Sequence, residues 1–321
     1  MERIVKWKSR LSAVILIPIA TIALTRPSLF TFFDHQSSLG GLAASPATWR
    51  HWIAVGPLSL FFYLAGAELR WEFREGLFHD RRKALIVLGS VIGGMAAPAL
   101  IYLFIARLTG ATSAAWGVPM ATDLPLVLAA LSFFPAKQIS ALRPFLLALA
   151  ITDDIGSVIV LGLKFHQSLS PTLIAALIGV IAPAALNSFH KRVLAPLVNY
   201  LVVPLFILSS LSAGVKLIGA EASSKISLSL IVARLVGKPL GIYCGARVMS
   251  ALSKVPLPIA ELHLALAGVL ASLGLSVSLL FADITLTGVN RSDAIAGTVI
   301  TIPLALVASA LFYFFTRETA A

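Results

Sequence analysis

The chain has 321 residues, 58% hydrophobic and only 12% charged, with a net charge of +11 and a mean hydropathy of +0.94. A soluble domain this size carries about a quarter of its residues as charges, so a soluble globular fold is excluded. The positive charge collects between apolar runs, the pattern that orients a membrane protein, and not in a nucleic-acid-binding patch.

About ten apolar runs reach the length of ~18 residues that suits a spanning helix. They are continuously apolar and lack dyad alternation, which points to helices and not to a barrel. In chain order they predict helices near 11–30, 51–69, 84–106, 115–134, 143–163, 170–188, 194–213, 226–248, 260–282 and 294–316. The basic opening MERIVKWKSR resembles a signal peptide, but no small-residue cleavage site follows promptly, so a retained first helix is expected. The segment 31–50, with Gly40, Gly41 and Pro46, is the longest polar connection and is expected to be an external loop or small excursion. Basic residues fall unequally on the two sides. The larger set runs from Arg3, Lys6, Lys8 and Arg10 through Arg81, Arg82 and Lys83 to Arg317; the smaller includes Arg26, Arg50, Arg107 and Arg291. Both termini are therefore predicted to be cytoplasmic. The single Cys244 cannot form an internal disulfide, and the six histidines lack metal-ligand spacing.

Charges inside apolar runs are expensive and need a reason. Asp123 sits in AWGVPMATDLPLVLAAL, bracketed by Pro119 and Pro125. Each proline deletes a helical hydrogen bond and biases its predecessor away from helix. A broken helix with an extended crossing at depth is expected, with freed carbonyls and helix ends needing compensation; the simpler alternative is a proline kink capped by Asp123. Asp153 and Asp154 sit in LRPFLLALAITDDIGSVIVLGL. Adjacent helical residues point about 100° apart, so the two face different partners, and two carboxylates this close resist simultaneous ionisation. One would pair with a cation of the protein while the other binds an ion or a proton. Lys238, between Gly237 and Pro239, lies too deep in its run to snorkel and calls for a carboxylate partner. Arg234, one turn earlier, is expected to snorkel or join the ion pair. Glu261 and Asp283 are expected to mark the ends of the ninth helix. Within that helix Gly268, Ser272, Gly274, Ser276 and Ser278 serve close packing or mark a second broken helix crossing the first. In the second case 84–163 and 226–316 are two inverted three-helix repeats.

These motifs together resemble the NhaA family of bacterial sodium/proton antiporters. The matching segments are FFYLAGAELRWEFREG, GGMAAPALIY, ATD, FLLALAITDDIG, VVPLF, VGKPLGI and LASLGLSVSLLFA, in the family's order. The resemblance implies an all-α polytopic membrane fold with crossed broken helices. Its parts would be scaffold helices in 1–83, a first core repeat in 84–164, further scaffold in 165–225 and a second core repeat in 226–321. It also implies that Asp154 is the main Na+ and proton carrier, with Asp153 beside it as the partner of Lys238. Thr122 and Asp123 would form the crossing, and Glu68 would be an acidic position tied to pH response. No cofactor is implied beyond the transported Na+, Li+ and protons, and a homodimer in the bacterial inner membrane is expected. The chain departs from the family in having ten helices where the family has twelve, the sixth and seventh being absent. Val55 stands where an aspartate is usual, and Leu124-Pro125 follows the ATD motif.

The expected activity is exchange of Na+ or Li+ for protons by competition at a buried aspartate. The rivals are a sodium-coupled symporter of a small organic anion, a transport-impaired homologue of the family, and an intramembrane aspartyl protease using Asp123 with Asp153. The protease reading leaves Lys238 without a role.

Overall fold

The computed structural model describes residues 79–131, 133–134, 142–164, 193–211 and 223–318, with 32–33, 36–37, 47–49, 53 and 60. The helices expected at 11–30, 51–69 and 170–188 lie outside the described residues, Ile53 and Leu60 excepted, and so does Glu68.

Helix α1 (Arg81–Thr109) begins at Asp80, whose side chain accepts a hydrogen bond from the Arg82 N–H at 3.0 Å. That bond to the charged form holds the Asp80 carboxyl below its ordinary value. The helix ends at Gly110, whose φ of 71° is left-handed and whose N–H reaches back to the Ala106 carbonyl. A 3-10 turn (Ser113–Gly117) then leads to the non-helical residues 121–123 and to α2 (Leu124–Leu131). Helix α3 (Leu142–Lys164) carries the aspartate pair. A π-helical stretch, Val198–Val202, leads into α4 (Val203–Leu211).

The next run is continuous but not uniform. It comprises α5 (Lys225–Val232), a π-helical turn (Ala233–Gly237) and α6 (Lys238–Ser253). Pro239 cannot supply a helical N–H, and a local π adjustment is one way a helix re-satisfies the freed carbonyls. The helix expected at 260–282 is two half-helices, α7 (Glu261–Ala271) and α8 (Ser276–Thr285), bent by 48°. Helix α9 (Gly288–Glu318) follows.

Among the described residues, Arg81–Thr109, Lys225–Ser253 and Gly288–Phe314 are each long and apolar enough to cross a membrane, and the bent α7–α8 pair is a fourth such span if counted as one. Their outer faces show Ile92, Leu100, Phe104, Leu252, Val307 and Phe314, a surface suited to lipid and not to water. Regular non-helical structure is confined, among the described residues, to Gln36–Ser37 paired antiparallel with Ala47–Thr48, Gln36 opposite Thr48. This small pair falls in the segment expected to be a loop or excursion.

Packing is tightest between α1 and α6. Gly237, Gly241 and Gly245 recur every four residues and face Pro98, Gly93 and Gly89. A Cβ on Gly241 would lie 2.0 Å from the Gly93 carbonyl oxygen, and one on Gly245 2.0 Å from that of Gly89. Backbone meets backbone there, as small residues permit inside a bilayer. Two buried apolar clusters flank the centre. One, around Tyr102, Phe206 and Phe281, includes Ala121 and Leu275; the other, around Leu146 and Leu270, includes Met120 and Leu273. They meet where the two interrupted helices touch.

Candidate functional site: a charged crossing of two broken helices

The two interruptions are joined directly. The Asp123 N–H donates to the Leu273 carbonyl at 2.7 Å, and the Thr122 hydroxyl donates to the Ala271 carbonyl at 2.9 Å. Gly274 has no room for a side chain, since a Cβ would lie 2.2 Å from the Ala121 carbonyl oxygen. The glycine therefore lets the two non-helical backbones pass in contact.

Asp123 caps both half-helices that leave the crossing. Its Oδ1 accepts from the Leu126 N–H of α2 at 3.4 Å. Its Oδ2 accepts from the Ser276 N–H at 3.0 Å and the Ser276 hydroxyl at 2.7 Å. A carboxylate at two helix N-termini satisfies open N–H groups and faces the positive ends of both dipoles. Capping and a broken helix were weighed above as alternatives; both are present.

The carbonyls beside the two breaks receive a cation. Arg234 is 1% exposed. Its guanidinium donates to the Gly274 carbonyl at 2.8 Å, to the Val118 carbonyl at 2.7 Å and to the Ser278 hydroxyl. The Arg234 carbonyl in turn accepts from the Ser272 hydroxyl at 3.1 Å. The expectation that Arg234 snorkels is therefore wrong. The carbonyls at residues 118 and 274, among those expected to need compensation, give their lone pairs to this side chain. A planar fork of donors is suited to bridging such separated acceptors.

One turn further along, Lys238 is fully buried and pairs with Asp153 Oδ2. The same ammonium donates to the Thr122 hydroxyl, so α3, α6 and the first break meet at one nitrogen. Asp153 Oδ1 accepts no hydrogen bond among the described residues. Asp154 is 2% exposed beside it. The structure thus gathers Thr122, Asp123, Asp153, Asp154 and Lys238 in one buried region. Glu261 and Asp283 lie at the outer ends of α7 and α8, paired with Arg247 at 2.8 Å and Arg291 at 2.7 Å. Sequence reading missed what Arg234 and the glycine seam do. Their signals were the four-residue spacing of Arg234 from Lys238, which puts both on one helix face, and the four-residue recurrence of glycine in GKPLGIYCG.

These features define a class: a helical membrane protein whose interrupted helices meet around buried charges. The profile of the Na+/H+ antiporter 1 family matches residues 4–193 and 184–315, and the chain belongs to that family. It is 28% identical to the Na(+)/H(+) antiporter NhaA of Haemophilus ducreyi, over 90% of this chain and 89% of that protein. It is 26% identical to Na(+)/H(+) antiporter NhaA 1 of Clostridium beijerinckii, over 82% and 79%. It is also 28% identical to Na(+)/H(+) antiporter NhaA 2 of Frankia alni, over 88% and 71%. The alignment with the Haemophilus protein runs 354 positions while using 90% of this 321-residue chain. That relative therefore contains residues with no counterpart here.

Proposed function

We propose that this chain is a transporter, not an enzyme, that exchanges Na+ or Li+ for protons across the bacterial inner membrane. The observation that carries the reading is the pairing of Lys238 with Asp153 next to a second buried carboxylate, Asp154. Lys238 commits one aspartate to a fixed counter-charge, and Asp154 takes the exchangeable cation. A carboxylate at membrane depth holds either a proton or a partly dehydrated Na+, and alternating access presents it to each side in turn. Asp153 and Thr122 are the neighbouring oxygens of the site, while Asp123 holds the crossing.

On this reading 84–164 and 226–321 are two inverted repeats within a ten-helix scaffold, supported by the contact between the breaks at 121–123 and 272–275. Both termini face the cytoplasm, no cofactor takes part, Glu68 contributes to pH response, and the transporter works as a homodimer. The test is proton movement in proteoliposomes on addition of Na+ or Li+. Exchange is expected with the unaltered chain and its loss with Asp154→Asn. Transport surviving that substitution would remove Asp154 from the carrier role, and no cation-dependent proton movement at any pH would end the antiport reading.

A further inference from the structure

A serine or threonine inside a helix ordinarily turns its hydroxyl back onto the carbonyl of the preceding turn. This protein follows the habit. Ser90, Thr152, Thr298 and Thr301 each donate to the carbonyl four residues earlier, at 2.7–2.9 Å. Ser157 does not. Ser157 is 1% exposed, and its hydroxyl has no hydrogen-bond partner among the described residues.

Its position on α3 makes the exception informative. Ser157 is four residues after Asp153 and three after Asp154. At 100° per residue it projects about 40° from Asp153 and about 60° from Asp154, between the two and one turn above. Helical side chains lean towards the N-terminus, over the turn that precedes them, which directs this hydroxyl towards the aspartate pair. Asp153 Oδ1, in that same turn, is a second buried oxygen accepting no hydrogen bond among the described residues. Hard cations are held by several oxygens, and hydroxyl, carbonyl and carboxylate groups serve together.

We propose that Ser157 is a further oxygen ligand of the transported cation, completing with Asp153 Oδ1 and Asp154 a site on one face of α3. The assignment rests on the antiport reading for its cargo, and on the helix geometry for its position. It gives the hydroxyl a role in Na+ affinity and none in holding the fold.

The experiment measures Na+-dependent proton exchange by the full chain in proteoliposomes, over a range of Na+ concentrations. Ser157→Ala is expected to raise the half-saturating Na+ concentration roughly three- to tenfold, with the maximal rate retained. Ser157→Thr, which keeps the oxygen, restores the unaltered value. Ser90→Ala, which removes a hydroxyl bonded within its own helix, leaves that value unchanged. Should the alanine variant not accumulate, Ser157→Cys carries the test, because sulfur is a poor ligand for a hard cation. An unchanged half-saturating concentration in the variant that accumulates overturns the assignment. If the unaltered chain exchanges no ions, the antiport reading fails, and Ser157 is judged by the thermal stabilisation that Na+ gives the purified protein. A shift that shrinks in Ser157→Ala supports the ligand, and an equal shift overturns it. A chain that neither exchanges ions nor responds to Na+ overturns both.

Discussion

Arg234 is buried with carbonyls and a hydroxyl as its hydrogen-bond acceptors, so its worth lies in the helix ends it satisfies. Arg234→Met would leave the Val118 and Gly274 carbonyls and the Ser278 hydroxyl without their donor. Each orphaned buried group costs ~1–3 kcal/mol. A large fall in the midpoint of thermal unfolding in detergent is expected, with a smaller fall for Arg234→Lys, whose point charge cannot span the same acceptors. Equal midpoints for the unaltered chain and the methionine variant would show that the clamp does not hold the breaks. Asp123, Asp153, Asp154 and Lys238 were legible in the sequence because a charge in the middle of an apolar run has no bland explanation. Arg234 was not. A long basic side chain one turn from Lys238 reads equally as a snorkelling group or an ion-pair member, and its acceptors are decided by neighbours that one helix's sequence does not contain.

At the scale of elements, the α1–α6 seam and the two breaks position the site. Gly241→Ala would set a Cβ against the Gly93 carbonyl oxygen, and overpacking of this kind costs ~1–3 kcal/mol. A Cβ added at Gly162 on α3 would meet nothing within 4 Å, so Gly162→Ala serves as the counterpart, stabilising by up to ~1 kcal/mol through helix propensity. The pair is compared by thermal unfolding in detergent; similar midpoints for both variants would refute the seam. The first interruption could be read from Pro119 and Pro125, since proline dictates backbone locally. The second could not be decided, because Ser272, Gly274 and Ser276 suit close packing and a break alike. What separates the two is the Asp123 carboxylate, some 150 residues away in the chain, which caps Ser276 and makes a new helix start favourable there.

For the whole molecule, composition alone excluded a soluble fold, and the run lengths located α3 closely (Leu142–Lys164 for an expected 143–163) but missed the six residues by which α9 starts earlier and the non-helical stretch within 115–134. How the helices associate was less legible, because lipid and leucine are equally apolar and hydrophobicity does not choose partners inside a bilayer. Orientation is predicted from the asymmetry of basic residues: a reporter active only in the cytoplasm, fused after Ala321, is expected to be active, and a silent cytoplasmic reporter with an active external one would overturn that orientation. The guanidinium of Arg234 has a last consequence for motion. It is tied at once to the chain before the first break, to Gly274 inside the second and to Ser278 just after it. If either interruption slid alone, a buried cation would lose one or two of its three acceptors. The two interruptions are therefore coupled through one buried side chain, and displacing either alone carries the cost of the bonds it would break.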